Sequence, residues 1–298
     1  MQLIKLFFKT LGNGIKFINT YFKTFVLLLI MIWIFSSDQS SNSHFANLER
    51  IDLKGEIFDS SPVLEKIINA KNDNQIKGVL FVIDSPGGAF APSMELALAI
   101  KDLRAKKPVV VYASGTMASG SYLAGVGADK ILANPASFIG SIGVIMQGAD
   151  ISELANKLGI KEQTIQAGEF KSAGTFARAW SDKEKQYLQD LIDQSYDLFI
   201  NFVAKERKLD KTQKNTWANA RVFLAQKAKE LRLIDNLSNY ESAKKELEKL
   251  SKVKNPTWKE EDKIDKFLNR LENKTSSLIT QGISEIVYKI NVGFLNTK

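Results

Sequence analysis

Three glycine-rich turns hold the residues whose types and spacing suit chemistry. The first, Asp84-Ser85-Pro86-Gly87-Gly88, follows the apolar run 78–83. Its proline fixes the turn and removes a donor. Its two glycines would let backbone N–H groups come close enough to a bound atom to cradle an oxyanion, the competing reading being a plain structural turn. The second spans Ser114 to Tyr122 (SGTMASGSY) and follows the run 109–113. Small residues crowd there just where a helix should start. A serine at such a start faces free N–H groups that favour developing negative charge, or else serves as a plain N-cap. The third spans Ala167 to Gly174 (AGEFKSAG) and follows residues 162–166. Lys171, set among Phe170, Ala173 and Gly174, is a candidate for desolvation, and a desolvated amine is a usable general base. The competing reading is an ordinary surface lysine.

What the chain lacks narrows the chemistry further. Its 298 residues include no cysteine and one histidine, His44. That excludes disulfide scaffolds, thiolate zinc sites and cysteine nucleophiles, and a single imidazole cannot build a multi-histidine metal site. No cofactor and no metal are expected. A serine nucleophile needs a base. His44 reads as a linker residue ahead of the first strand, so a serine hydrolase built on this chain should take its base from lysine, the Ser–Lys variant of triad logic. Gly168 to Ser172 resembles the tail of a phosphate loop but lacks the upstream glycine. Ser242–Lys245 and Ser251–Lys254 match S-x-x-K only inside charged helical stretches.

The elements that must position these turns alternate in the α/β manner. Residues 78–83 (GVLFVI) and 109–113 (VVVYA) are continuous apolar runs, the signature of parallel strands buried on both faces. Between them Met94, Leu96, Ala97, Ile100 and Leu103 recur at helical spacing over 91–105. A helix is expected at 119–127, strands at 130–133 and 141–146, a helix at 151–158, a strand at 162–166 and a long helix at 182–205. Residues 222–250 are expected to be helical in pieces. Beyond 255, apolar residues such as Ile264, Phe267, Leu271 and Ile283 recur at three- and four-residue steps, which predicts a helical extension.

The leader speaks to compartment. Lys5, Lys9, Lys16 and Lys23 precede the first acidic residue, Asp38, and an uninterrupted apolar run extends from Phe25 to Phe35. Counting back to Phe17, past a snorkelling Lys23, gives about the 20 residues that a span needs. The positive flank comes first, so the N-terminus should stay cytoplasmic and the rest should cross. An uncleaved signal anchor is the favoured reading, ahead of a cleaved signal peptide and a buried helix. The formal charge of +8 is partly this leader. Elsewhere Lys and Arg interleave with Asp and Glu as a solvated surface, and no nucleic-acid partner is expected.

Taken in order, DSPGG, GTMASGSY, GSIGV at 140–144 and AGEFKS resemble the bacterial signal peptide peptidase A family of membrane-anchored serine peptidases. The likeness covers roughly residues 48–250. It implies a Clp-protease/crotonase-like spiral of strand–strand–helix units, here with an N-terminal transmembrane helix and a C-terminal helical extension. Ser119 matches the nucleophile and Lys171 the general base. Gly88 and the backbone of Ser119 match the oxyanion hole, and Ser141 matches a serine that orients the lysine. With the leader and the C-terminal pattern read from the residues themselves, the expected organisation is a basic cytoplasmic N-terminus at 1–24, an anchor core at 25–37, a linker at 38–47, a peptidase domain at 48–250 and a helical extension at 251–298, the last matching no family motif. The family further implies a homo-oligomer in the bacterial cytoplasmic membrane, its catalytic domain outside, degrading apolar peptides such as signal-peptide remnants. One departure is visible: the family usually has a second glycine where this chain has Ser121. A crotonase-type acyl-thioester enzyme and a non-enzymatic membrane scaffold are the alternative readings.

Overall fold

The computed structural model describes residues 16–31 and 46–259, which fall in two units. The first contributes helix α1 (residues 16–31), whose apolar side chains, Phe17, Phe22 and Leu29 among them, are exposed. Among the described residues no helix is long and apolar enough to cross a membrane. The expected anchor core begins within α1, and its residues 32–37 lie outside the described part, as do His44 and residues 260–298.

The second unit is an α/β structure. Its elements run β1 (Leu48–Ile57), α2 (Ser61–Asn72), β2 (Gly78–Gly88), α3 (Phe90–Arg104), β3 (Val109–Ala118), α4 (Gly120–Gly125), β4 (Lys130–Ala133) and β5 (Phe138–Gly140). There follow α5 (Ser152–Lys157), α6 (Asp182–Arg207), α7 (Lys214–Trp217), β6 (Val222–Leu224), α8 (Ala225–Glu230), β7 (Asn236–Leu237) and α9 (Tyr240–Ser251). The main sheet has the order β1-β2-β3-β4-β7, all parallel, while β5 pairs with the far end of β3 and β6 runs antiparallel to β5.

The apolar runs are continuous because the sheet is covered on both faces. On β2, Val79, Phe81 and Ile83 join one core with Leu96, Ile100 and Leu123 of α3 and α4. The intervening Leu80 and Val82 join Ala243 and Leu247 of α9 in a second core behind the sheet. Each such side chain contributes roughly 1.5–3 kcal/mol on burial. Strand β3 changes partner along its length. Val110 to Ala113 pair with β4, whereas Thr116 to Ala118 pair with β5. The switch carries its last residues, and the serine after them, away from the flat sheet.

Helix α6 docks by its C-terminal half. Phe199, Ile200 and Val203 enter the core, and Glu206 pairs with Lys101 at 2.7 Å and Arg104 at 2.8 Å on α3. Its N-terminal half is mostly exposed. The elements expected at 130–133, 91–105 and 182–205 are present, at most a few residues longer. Two expected strands are not: residues 141–146 and 162–166 pair with no neighbouring strand. In the first, Ile142 is buried in the core and Val144 packs against it, but the pairing with residues 220–221 stops at Ile142 and Ile145 is 73% exposed. In the second, Ile165 is 103% exposed and finds no core that would hold a strand. Residues 222–250 contain the short strands β6 and β7 as well as helix.

Candidate active site

Ser119 stands between β3 and α4 with φ 51° and ψ −125°, a left-handed backbone that a side-chain-bearing residue adopts only under strain, worth about 1–3 kcal/mol. It occupies the N-cap position of α4, yet its side chain makes no capping hydrogen bond. The N-cap reading therefore fails, and the hydroxyl is left for other work. Gly87, at φ +98°, packs against this turn so closely that a Cβ on it would lie 2.6 Å from the Gly120 nitrogen and 2.9 Å from the Ser119 Cβ. The DSPGG segment, expected as a turn but forming the last part of β2, thus meets the residues around Ser119 backbone to backbone.

The oxyanion donors expected at Gly88 and Ser119 need one correction. The Ser119 N–H donates to the Gly140 carbonyl at 2.7 Å, continuing the β3–β5 ladder by one residue, so it is already engaged. The next amide, that of Gly120, opens α4 and has no intrahelical carbonyl behind it. A Cβ on Gly120 would lie 3.3 Å from the Gly88 nitrogen. The Gly88 and Gly120 backbones are thus in close contact beside Ser119, and the Gly120 amide, rather than the engaged Ser119 amide, is the second candidate donor next to Gly88. Close packing explains both glycines: a Cβ at 88 would meet the Ile57 carbonyl oxygen at 2.2 Å, and one at 120 would meet Ser93 Oγ at 2.1 Å.

Ser121, the departure noted in sequence, turns out to be structural. Its hydroxyl is fully buried, accepts from the Ala118 N–H at 2.9 Å and lies 2.7 Å from the Ser85 carbonyl, to which it donates. It bolts the residue before Ser119 to the DSPGG turn. Asp84 adds a second tie by accepting the Thr116 N–H at 2.8 Å. We expect Ser121→Ala to leave a buried amide and carbonyl short of a partner, costing about 1–3 kcal/mol, read as a lower urea midpoint. Behind α4, the buried Tyr122 hydroxyl donates to the Leu233 carbonyl at 2.8 Å, and burial pushes its phenol well above the ordinary tyrosine range.

Ser141 follows Gly140 at the edge of the same turn, with φ 49° and its N–H on the Arg221 carbonyl at 2.8 Å. Lys171 is placed differently. It lies in a coil between two left-handed glycines, Gly168 and Gly174, and is exposed. Among the described residues no hydrogen bond joins it to Ser119 or Ser141. The desolvation expected of this lysine is therefore not supplied by the described part of its own chain. The structure gathers Gly88, Ser119 and Ser141 at one end of the sheet and holds Lys171 on an outlying loop. Among the described residues no cluster of His, Cys, Asp or Glu suited to a metal is present.

The family pattern of Peptidase family S49 matches residues 101–254. Putative protease MJ0651 of Methanocaldococcus jannaschii is 39% identical over 225 residues, covering 74% of this chain and 72% of that protein. Putative signal peptide peptidase SppA of Enterococcus faecium is 32% identical over 204 residues, covering 68% of this chain and 59% of that one. Among solved structures, a ClpP1 mutant from Listeria monocytogenes aligns with 65% of this chain and 93% of its own at a TM-score of 0.46 and 15% identity. A hydroxyl freed by a strained turn, two adjacent amides beside it and a family match spanning both turns that carry Ser119 and Lys171 lead to one conclusion: the chain belongs to peptidase family S49 and is a serine peptidase similar to signal peptide peptidase A.

Proposed function

We propose that this protein is a Ser–Lys endopeptidase that cleaves apolar peptides at the outer face of the cytoplasmic membrane. The observation that carries the proposal is the uncapped, strained Ser119 beside the Gly88 and Gly120 amides. Ser119 Oγ attacks the scissile carbonyl, and the unprotonated amine of Lys171 takes its proton. The tetrahedral oxygen sits on the two amides, each typically worth roughly 3–4 kcal/mol of barrier. The lysine then returns the proton to the leaving amine, and water releases the acyl group by the reverse sequence. Ser141 orients the lysine from the turn next to Ser119.

The exposed position of Lys171 supports completion of the site by a second copy of the chain. Ile145, Met146, Leu154, Ile160, Ile165 and Phe176 leave a band of apolar surface along residues 141–181. A patch of that kind on the very segment that bears the base favours a covering subunit. The basic leader and the apolar run beginning in α1 support membrane attachment, and attachment suits apolar substrates left in a bilayer.

A mixing experiment tests the reading. Ser119→Ala and Lys171→Ala are each expected to be inactive on a quenched apolar peptide, and a fluorophosphonate should label Ser119 in the wild type. When the two variants are co-assembled, activity should return to a fraction of wild type, because some interfaces then pair an intact serine with a neighbour's intact lysine. Failure to complement would place both groups in one chain, and full activity of Lys171→Ala would end the Ser–Lys assignment.

A further inference from the structure

The loop that bears Lys171 is not loose, although the lysine itself is exposed. Its coil closes on itself through Lys171 N–H to the Gly168 carbonyl at 3.2 Å and Ala173 N–H to the Phe170 carbonyl at 3.1 Å. Both flanks of the lysine are then fastened to the first turns of α6. On one side Phe170 stacks on Tyr187, ring centroids 4.7 Å apart, and Glu169 pairs with Lys183 at 3.1 Å. On the other side Ser172 Oγ accepts a hydrogen bond from Arg178 Nη2 at 3.1 Å.

Arg178 is the centre of this arrangement. Its guanidinium grips Glu184 with both arms, Nη1 to Oε2 at 2.8 Å and Nη2 to Oε1 at 2.7 Å, and Nη1 also donates to the Ala179 carbonyl at 3.1 Å. Glu184 is buried and is itself part of the capping box of α6: its Oε2 accepts the Ser181 N–H at 2.8 Å, and its own N–H donates to Ser181 Oγ. Two parallel N–H···O bonds to a carboxylate fix orientation as well as distance, which a lysine at 178 could not do. The carboxylate is held down to about 2, first by the Arg178 bond and then by the Ser181 amide, so it stays ionised throughout the working range of a peptidase.

We propose that Arg178 is a positioning residue for the catalytic base: the Arg178–Glu184 fork, extended to Ser172, locks the Lys171 loop to the start of α6 and so sets where the amine points. The proposal rests on the Ser–Lys reading above and adds to it a way in which α6 takes part in catalysis. The core-docked half of the helix supplies a rigid mount. The exposed half carries the base outward, toward whichever Ser119 it serves.

The test uses the full-length protein, with Arg178→Gln, Arg178→Lys, Glu184→Gln and Ser172→Ala assayed on a quenched apolar peptide. Arg178→Gln should lower kcat roughly 30-fold with KM changed less than about twofold, and fluorophosphonate labelling of Ser119 should slow in parallel. Arg178→Lys should fail to restore it, and Glu184→Gln, which removes the charge that the fork grips, should match Arg178→Gln. Ser172→Ala, which cuts one bond and leaves the helix cap intact, should cost about threefold and guards against a folding defect. The decisive arm is a double-mutant cycle on the residual hydrolysis of an activated ester. In the Lys171→Ala background, Arg178→Gln should cost nothing further, because a residue acting through the lysine has nothing left to position. An Arg178→Gln enzyme within about twofold of wild-type kcat, or an undiminished loss in the Lys171→Ala background, overturns the proposal. An active Lys171→Ala enzyme would instead overturn the Ser–Lys reading itself.

Discussion

Ser119→Ala is expected to lower kcat/KM for peptide cleavage by at least about 10^4-fold while leaving the protein folded. The size of the loss follows from the position. The hydroxyl makes no capping bond, so removing it deletes the proposed nucleophile without deleting a capping contact. Stability gives a second readout. Because φ at this residue is 51°, the backbone stores strain that glycine would relieve. Ser119→Gly should therefore be as inactive as Ser119→Ala yet withstand more urea, by about 1 kcal/mol relative to the alanine variant. Peptidase assays and urea titrations of the three proteins would check both halves. Equal midpoints for Gly and Ala would show that the turn is not strained, and retained cleavage in either variant would move the nucleophile elsewhere.

Gly88→Ala should be nearly as damaging, through geometry instead of chemistry. A methyl at this position meets the Ile57 carbonyl oxygen at 2.2 Å and the Ile57 nitrogen at 2.5 Å, backbone atoms of the paired strand that have no rotamer by which to escape. The tail of β2 must shift, and with it the amide proposed to hold the oxyanion. Loss of one such donor costs about 10^2–10^3 in kcat. The clash at Gly120 is of another kind, because the atom met is Ser93 Oγ, a side-chain end. Gly120→Ala should thus recover part of its activity when combined with Ser93→Gly, whereas no second substitution in a side chain should rescue Gly88→Ala. Steady-state kinetics of these variants would separate the two cases, and full activity of Gly88→Ala would remove this amide from the oxyanion site.

The first two glycine-rich segments were legible because each follows a continuous apolar run. Residues 78–83 and 109–113 read as strands covered on both faces, and they are, with α3 and α4 on one side and α9 on the other. The strand expected at 141–146 misled for the same reason, whereas the one expected at 162–166 (EQTIQ) had Ile165 as its sole apolar residue. An apolar stretch signals burial, but Ile145 and Ile165 find nothing in the described part of their own chain to bury against. A pattern rule cannot tell a side chain that meets the core from one left facing outward.

The sequence by itself determined the chemistry available: one histidine outside the peptidase turns, no cysteine, and a serine and a lysine each in a glycine-rich segment, which is what the proposed Ser–Lys reading rests on. It also determined the parallel sheet, since buried strands announce themselves locally. Only the tertiary structure decided which amides are free. The Ser119 N–H is taken by Gly140 and, among the described residues, the Gly120 N–H is not, and that depends on where β5 ends against β3. It likewise decided that Ser121 is a bolt between two turns and that Arg178 holds the lysine loop to α6. The physical reason is the same throughout: residue type and spacing state what a group can do, whereas its hydrogen-bond partners come from segments that only folding brings together.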